Sequence, residues 1–377
     1  MRPRPAATPL GVILAERIRA HGPITFAEYM ETCLYHPQHG YYANPGQQAR
    51  RDYFTSVDAG PLFGRLLARQ FQEMWERLGR PREFCLVEAG AGTGALAKQI
   101  LDFAAESLQE FTDALRYVAV ERTAARRSEH ARVLEAHSTR GWVISSEDLP
   151  EEIPCGCIFS NELLDALPVH RVVFEKGALR ELCVTIGEGG FREEIGALST
   201  VELSEYFQEQ GITLQEGQQA EVCLAARGWI ESACRKLGRG FVLTIDYGHE
   251  ARELYDEHHM RGTLLAYSQH RASEDYFGAP GEQDLTAHVN FTALDLRGRR
   301  SGLARTGFTT QTNFLLALAR KSRMADLEDE NLSEQERTRR RLLFKTLIHP
   351  EGMGETFQVF AQQKGIETPL LSGFEPL

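Results

Sequence analysis

FCLVEAGAGTGALAKQIL, residues 84–101, carries the pattern that decides the fold. An apolar run ends in the turn Gly90-Ala91-Gly92-Thr93-Gly94, and a helical pattern, ALAKQILDFAAESL, follows. A buried strand, a tight glycine turn and a helix form the opening unit of a Rossmann-like sheet. The glycines let the backbone approach a ligand and adopt unusual dihedrals. The spacing here is G-x-G-x-G, whereas dinucleotide sites use G-x-G-x-x-G with a pyrophosphate on the helix N-terminus. Glu88 stands two residues before the first glycine. An acid there disfavours a pyrophosphate. It suits a ligand carrying an ammonium and a sulfonium, as the methionine end of S-adenosyl-L-methionine does.

Further strands are expected on either side of this unit. RYVAVE (116–121), GWVISS (141–146), CGCIFSNE (155–162) and FVLTIDYG (241–248) are short apolar runs separated by helical patterns. Alternating strands and helices predict an α/β fold with a parallel sheet covered on both faces. More than seventy residues separate the fourth and fifth strands, too long for one crossover helix. VHRVVFE, LRELCVTI and helical residues 217–237 therefore predict an inserted subdomain. Upstream, Thr8 and Pro9 open a helix that Gly22 and Pro23 stop, and Thr25 with Glu28 has capping-box spacing. Leu62, Phe63, Leu66, Leu67, Phe71, Met74, Trp75 and Leu78 repeat at helical period. The expected division is a helical N-terminal extension and cofactor lid (1–60), the first part of the core (61–175), the inserted subdomain (176–237), and the remaining core with substrate-side loops (238–377). Residues 249–290 are expected to be loops near the carboxyl ends of the strands.

The 377-residue chain is 42% hydrophobic and 25% charged, with a formal net charge of −11. A globular core follows, and no basic face recommends a nucleic-acid partner. Arg297, Arg299 and Arg300, and Arg337 with Arg339, Arg340 and Arg341, read as solvated faces. Seven cysteines at irregular spacing predict reduced, buried thiols and no metal. No signal peptide or membrane-inserted span is expected.

Candidate site residues cluster after the strands. Glu88, Gly90, Gly92 and Gly94 form the cofactor turn. Glu121, ending the second strand, is placed to hold ribose hydroxyls. Asp148 is a candidate for the adenine amino group and equally a turn residue. Asn161-Glu162-Leu163-Leu164-Asp165 follows the fourth strand, where open α/β sheets bind ligands. Asn161 is assigned to the cofactor. Glu162 and Asp165, three apart, can share a face and grip a guanidinium, or the segment can simply cap a helix. Asp284 and His288 are four apart; the pair could take a proton, bind metal or form a structural hydrogen bond.

GPITFAEYM (22–30), LYHPQHGYY (34–42), DYFTS (52–56), LFG (62–64), VEAGAGTG (87–94), SNELLDALPVH (160–170), IDYG (245–248), DLTAHVNF (284–291), TQTNFL (310–315) and MGETF (353–357) follow one another along the chain. In these blocks the chain resembles the MidA-like methyltransferases, relatives of the mitochondrial arginine methyltransferase that assists respiratory complex I assembly. Ala91, where the family more often has Pro, and Tyr53 depart from the pattern. The resemblance implies a class I methyltransferase fold, S-adenosyl-L-methionine as donor and a protein arginine acceptor, in the mitochondrial relative a complex I core subunit. It implies a cytoplasmic location in bacteria, or the mitochondrial matrix in a eukaryote. HPQHGYY and DYFTS are read as a lid, with Thr55 and Ser56 at the cofactor. Glu162, Asp165 and His288 are the expected catalytic residues. The rival readings are a non-catalytic, cofactor-binding assembly factor and an NAD-dependent oxidoreductase.

Overall fold

A computed structural model describes residues 8–43, 56–57, 60–268, 271–325, 327, 332–349, 354–367 and 369–376. Its strands are β1 (Ile24–Thr25), β2 (Phe84–Ala89), β3 (Leu115–Val120), β4 (Val143–Ser146), β5 (Ile153–Asn161), β6 (His170–Glu175), β7 (Ala178–Gly187), β8 (Gly190–Gly196), β9 (Gln219–Val222), β10 (Leu237–His249), β11 (Leu265–Ser268), β12 (Arg271–Ser273), β13 (Asp284–Thr286), β14 (Val289–Asn290), β15 (Ala304–Thr310) and β16 (Phe357–Lys364). The chain forms two compact units. One comprises residues 1–53, 164–229 and 248–296, the other 54–163, 230–247 and 297–377.

The second unit is the α/β core. Its sheet runs β15-β16-β10-β5-β2-β3-β4. β10, β5, β2, β3 and β4 pair in parallel, and β16 is antiparallel to both neighbours. β2 and β5 are buried along most of their length, as apolar strands covered on both faces must be. The helix Leu62–Arg77 buries Leu62, Phe63, Leu66, Leu67, Phe71, Met74 and Trp75, the residues that the helical period selects. Phe71 stacks on Phe159 of β5 with ring centroids 4.8 Å apart. Burying a side chain of that size contributes about 1.5–3 kcal/mol.

The first unit begins with the helix Pro9–His21, whose cap Thr8 accepts from Gly11 N at 2.9 Å. The helix Phe26–Tyr35 has the expected capping box: Glu28 N donates to Thr25 Oγ1, and Thr25 N donates to the Glu28 carboxylate. The rest of this unit is mainly sheet. β1, β7, β6 and β9 form one sheet with β8 on β7, and β12, β11 and β13 form another.

Several expectations change. β6 pairs with β7 and β9, so residues 164–175 leave the core and group with the inserted strands. Residues 230–237 group with the core instead. Residues 219–222 are strand, and the helix starts only at Leu224. Residues 249–290 hold β11, β12, β13 and β14 where loops were expected, and they join the first unit. The N-terminal region is not wholly helical, because β1 pairs with β7. The sheet gains β15 and β16, which the polar sequence conceals. Gln358, Gln362 and Gln363 of β16 are buried, so its burial does not show as an apolar run.

Candidate active site

In the core sheet the chain leaves β2 for β3 and β4 on one side and returns through β5 on the other. The carboxyl ends of β2 and β5 therefore flank a topological switch point, where open α/β sheets hold ligands. The glycine turn and Asn161-Glu162 sit at these two ends.

Three glycines shape the turn, with φ of +76° at Gly90, +56° at Gly92 and +84° at Gly94. A Cβ at Gly90 would lie 2.9 Å from Leu163 Cδ1, and one at Gly94 would press on Leu134 and His130. These two glycines serve packing. Among the described residues a Cβ at Gly92 would meet nothing within 4 Å, so the turn opens there onto space that they leave free. Gly92 is also held from both sides. Its N–H donates to Glu121 Oε2 at 3.0 Å, and its carbonyl accepts from His130 Nε2 at 2.9 Å. That bond puts the proton on Nε2, so Nδ1 accepts from the Ser145 hydroxyl at 2.8 Å. Burial keeps the His130 ring below its usual pKa. Sequence reading missed His130, because it lies in a helix that looks polar throughout.

The acids of the site differ in state. Glu88 is buried at the end of β2, and its Oε2 accepts from the Tyr117 hydroxyl at 2.6 Å. Burial pushes its carboxyl up to about 8; the Tyr117 hydrogen bond opposes this and the neighbouring Glu121 charge adds to it. Glu121 accepts from Thr123 N at 2.7 Å as well as from Gly92 N. Each of its oxygens keeps a further lone pair for a hydroxyl. Asp148 is exposed, and its carbonyl accepts from Ser146 Oγ.

At the end of β5, Glu162 takes the left-handed conformation, with φ +52°. Its N–H donates to Ile245 O at 3.0 Å, and its Oε1 accepts from Asn161 Nδ2 at 3.0 Å and from Ser56 N at 3.4 Å. Ser56 is buried, and its hydroxyl donates to Gln311 Oε1. Thr55 and residues 52–54 lie outside the described residues.

Other expected groupings do not form. Residues 162–169 contain no helix, so Glu162 and Asp165 neither share a helix face nor cap one. Asp165 belongs to the other compact unit. It is buried there, with its carbonyl accepting from Ala287 N at 3.0 Å. Asp284 and His288 have different partners. Asp284 accepts from Tyr42 Oη at 2.8 Å and from Leu285 N at 3.0 Å. His288 faces His249, with ring centroids 5.3 Å apart. A separation of four residues brings side chains together on a helix, but this segment is largely extended. Burial, then His249 and His259, pushes the His288 imidazole down to about 4. In HPQHGYY, Tyr41 and Tyr42 are buried in their own unit's core. Among the described residues no group of three or more His, Cys, Asp or Glu is placed to hold a metal ion, and none of the seven cysteines is in a disulfide.

Open space at Gly92, a pinned carboxylate at Glu121 and a buried acid at Glu88 fit a ligand with ribose hydroxyls and an ammonium. A family described as S-adenosyl-L-methionine-dependent methyltransferases matches residues 66–309. The chain belongs to this family. Two crystal structures of a superfamily member from Burkholderia thailandensis resemble this methyltransferase. Each has a TM-score of 0.85, covering 97% of this chain and 94% of that one, at 30% and 31% identity; the first is bound to S-adenosyl-homocysteine. Among curated proteins, the mitochondrial protein arginine methyltransferase NDUFAF7 of Danio rerio is 29% identical, covering 92% of this chain and 85% of its own. Its Homo sapiens counterpart is 28% identical, covering 94% and 83%. The protein is thus an S-adenosyl-L-methionine-dependent methyltransferase with a class I α/β fold. The dinucleotide reading gives way to this cofactor.

Proposed function

We propose that this methyltransferase modifies arginine side chains of a protein acceptor, and that Glu162 orients the guanidinium. The observation that carries the proposal is the Glu162 carboxylate, held in a left-handed turn at the end of β5 beside the glycine turn. The relatives named protein arginine methyltransferases support the acceptor class. Charge distribution supports it too. By sequence, the unit of residues 1–53, 164–229 and 248–296 holds 24 Asp and Glu against 14 Lys and Arg, a net −10. The core unit holds 29 against 28, a net −1. A chain of net charge −11 attracts a cationic acceptor.

S-adenosyl-L-methionine supplies a methyl group activated on a sulfonium. In this proposal Gly92 leaves room for the cofactor, Glu121 accepts from ribose hydroxyls, Glu88 faces the ammonium, and Asn161 and Ser56 line the same end. Asp148 is left to the turn or the adenine. Most of the rate then comes from holding the nucleophilic nitrogen in line. A carboxylate accepting from the guanidinium N–H groups holds the nitrogen in place and takes the proton that this nitrogen gives up on methylation, passing it on to solvent. His288 is a poor candidate for the proton: a ring that ionises only near 4 scarcely holds a proton at neutral pH. A complex I core subunit as acceptor, and a bacterial cytoplasmic or mitochondrial matrix location, extend the same proposal from the relatives. No helix among the described residues is long and apolar enough to cross a membrane.

Glu162→Gln tests the clamp. The probe is tritiated S-adenosyl-L-methionine with proteins from an extract of cells lacking the gene. A charge-assisted hydrogen bond contributes about 1.5–3 kcal/mol, so Glu162→Gln should slow transfer by roughly ten- to a hundredfold. Affinity for S-adenosyl-homocysteine should hold. Unchanged transfer in Glu162→Gln would remove the guanidinium clamp. Loss of all transfer signal from arginine, with label on another residue type, would replace the acceptor class. Binding with no turnover on any extract protein would favour the assembly-factor reading.

A further inference from the structure

We propose that Asp246 is a positioning residue for methyl transfer, its buried carboxylate locking the turn that carries Glu162. The inference rests on Glu162 acting on the acceptor, as proposed above.

Asp246 follows the apolar run FVLTI on β10, next to β5 in the sheet; Ile245 pairs with Asn161. The carboxylate is fully buried. Oδ2 accepts from Leu163 N at 3.1 Å, and Oδ1 accepts from Tyr247 N at 2.9 Å. A carboxylate is costly to bury unless hydrogen bonds compensate it. Here both oxygens take main-chain donors, one on each strand end.

The turn above it needs such a lock. Glu162 has φ +52°, a conformation that a residue with a Cβ adopts unwillingly. Two bonds hold it in place: Glu162 N to Ile245 O, and Leu163 N to Asp246. Without the second, the peptide between Glu162 and Leu163 loses its restraint, and the left-handed turn that sets the direction of the Glu162 side chain can relax. Leu163 also packs against Gly90, so the same peptide fixes the distance from the Glu162 turn to the glycine turn. Asn at 246 would keep one acceptor and turn an amide donor toward a main-chain donor. The shape survives, but one of the two bonds is lost.

The test uses the full chain as parent, Asp246→Asn, Glu162→Gln and the double variant. Three quantities are read: initial rate at saturating tritiated cofactor on the extract proteins, KM for the cofactor, and calorimetric affinity for S-adenosyl-homocysteine. Asp246→Asn should lower the saturated rate at least about tenfold while KM and affinity stay within about threefold. Because both residues act through one turn, the double variant should lie within about threefold of the slower single variant. Ile158→Val, a buried change on β5, serves as the stability control and should keep the parental rate.

A parental rate in Asp246→Asn, with Glu162→Gln slow, overturns the inference and leaves the Glu162 reading standing. A parental rate in Glu162→Gln overturns both. Losses that multiply in the double variant, or an equal loss in Ile158→Val, overturn the inference as well. Should Asp246→Asn fail to fold, native-state hydrogen exchange on the parent decides. Protection of the Leu163 and Tyr247 amides together supports the lock, and exchange at Leu163 as fast as in an open turn overturns it.

Discussion

Glu88→Gln should make the cofactor-free protein more stable at neutral pH, by an amount that depends on pH. The side chain is buried, and its carboxyl ionises near 8 against an ordinary value of 4.5. The folded state therefore holds the proton more tightly than the unfolded chain. The stability this provides is complete below about 4.5 and drains away as pH rises toward 8. At pH 7 linkage puts the loss at about 3 kcal/mol. Gln stays neutral throughout and still offers Tyr117 an acceptor, so it should escape the loss. Urea midpoints of parent and variant, measured from pH 4.5 to 8.5, should coincide at the acid end and separate progressively in favour of the variant. Parallel curves would refute both the buried, proton-holding state of Glu88 and the reasoning from it. Above pH 8, where Glu88 is ionised, the same substitution removes the charge proposed to face the cofactor ammonium. Affinity for S-adenosyl-homocysteine should then fall by roughly ten- to a hundredfold, as expected for one charge-assisted hydrogen bond. Stability and binding would thus move in opposite directions, which a merely structural Glu88 does not predict.

Gly92→Val should fold and fail to bind. A Cβ there meets no neighbour, so the folding cost is that of a left-handed φ of +56°, about 1–2 kcal/mol. The added methyl groups occupy the open space at the turn. Calorimetry should show at least a tenfold weaker S-adenosyl-homocysteine complex; parental affinity would move the site elsewhere. Transfer to a basic acceptor should also be sensitive to salt, because the attraction of a chain of net charge −11 is screened within about 8–10 Å at physiological ionic strength. Initial rates on extract proteins at subsaturating acceptor should fall several-fold between about 50 and 300 mM salt. Rates flat across that range would separate charge from acceptor choice.

Local features of this fold are legible in the amino-acid sequence. The run FCLVEA, the glycine turn and the following helix are contiguous, so period and turn chemistry sufficed to place them. The same holds for the Thr25–Glu28 capping box and for the buried face of Leu62–Arg77. Candidate acids at strand ends were legible because a polar residue after an apolar run marks the edge of the sheet. Only the tertiary structure decided which distant groups meet. β16 hides its burial behind Gln358, Gln362 and Gln363, which a pattern of apolar residues cannot reveal. Asp284 bonds Tyr42, 242 residues away in the chain, and not the nearby His288, because spacing predicts contact only once the backbone form is known. Glu162 and Asp165, three apart in sequence, fall in different compact units. Asp246 and His130 acquire their partners from strand order and helix packing. Leu163 N, Tyr247 N and Gly92 O among those partners are main-chain atoms, and main-chain atoms carry no sequence signal at all.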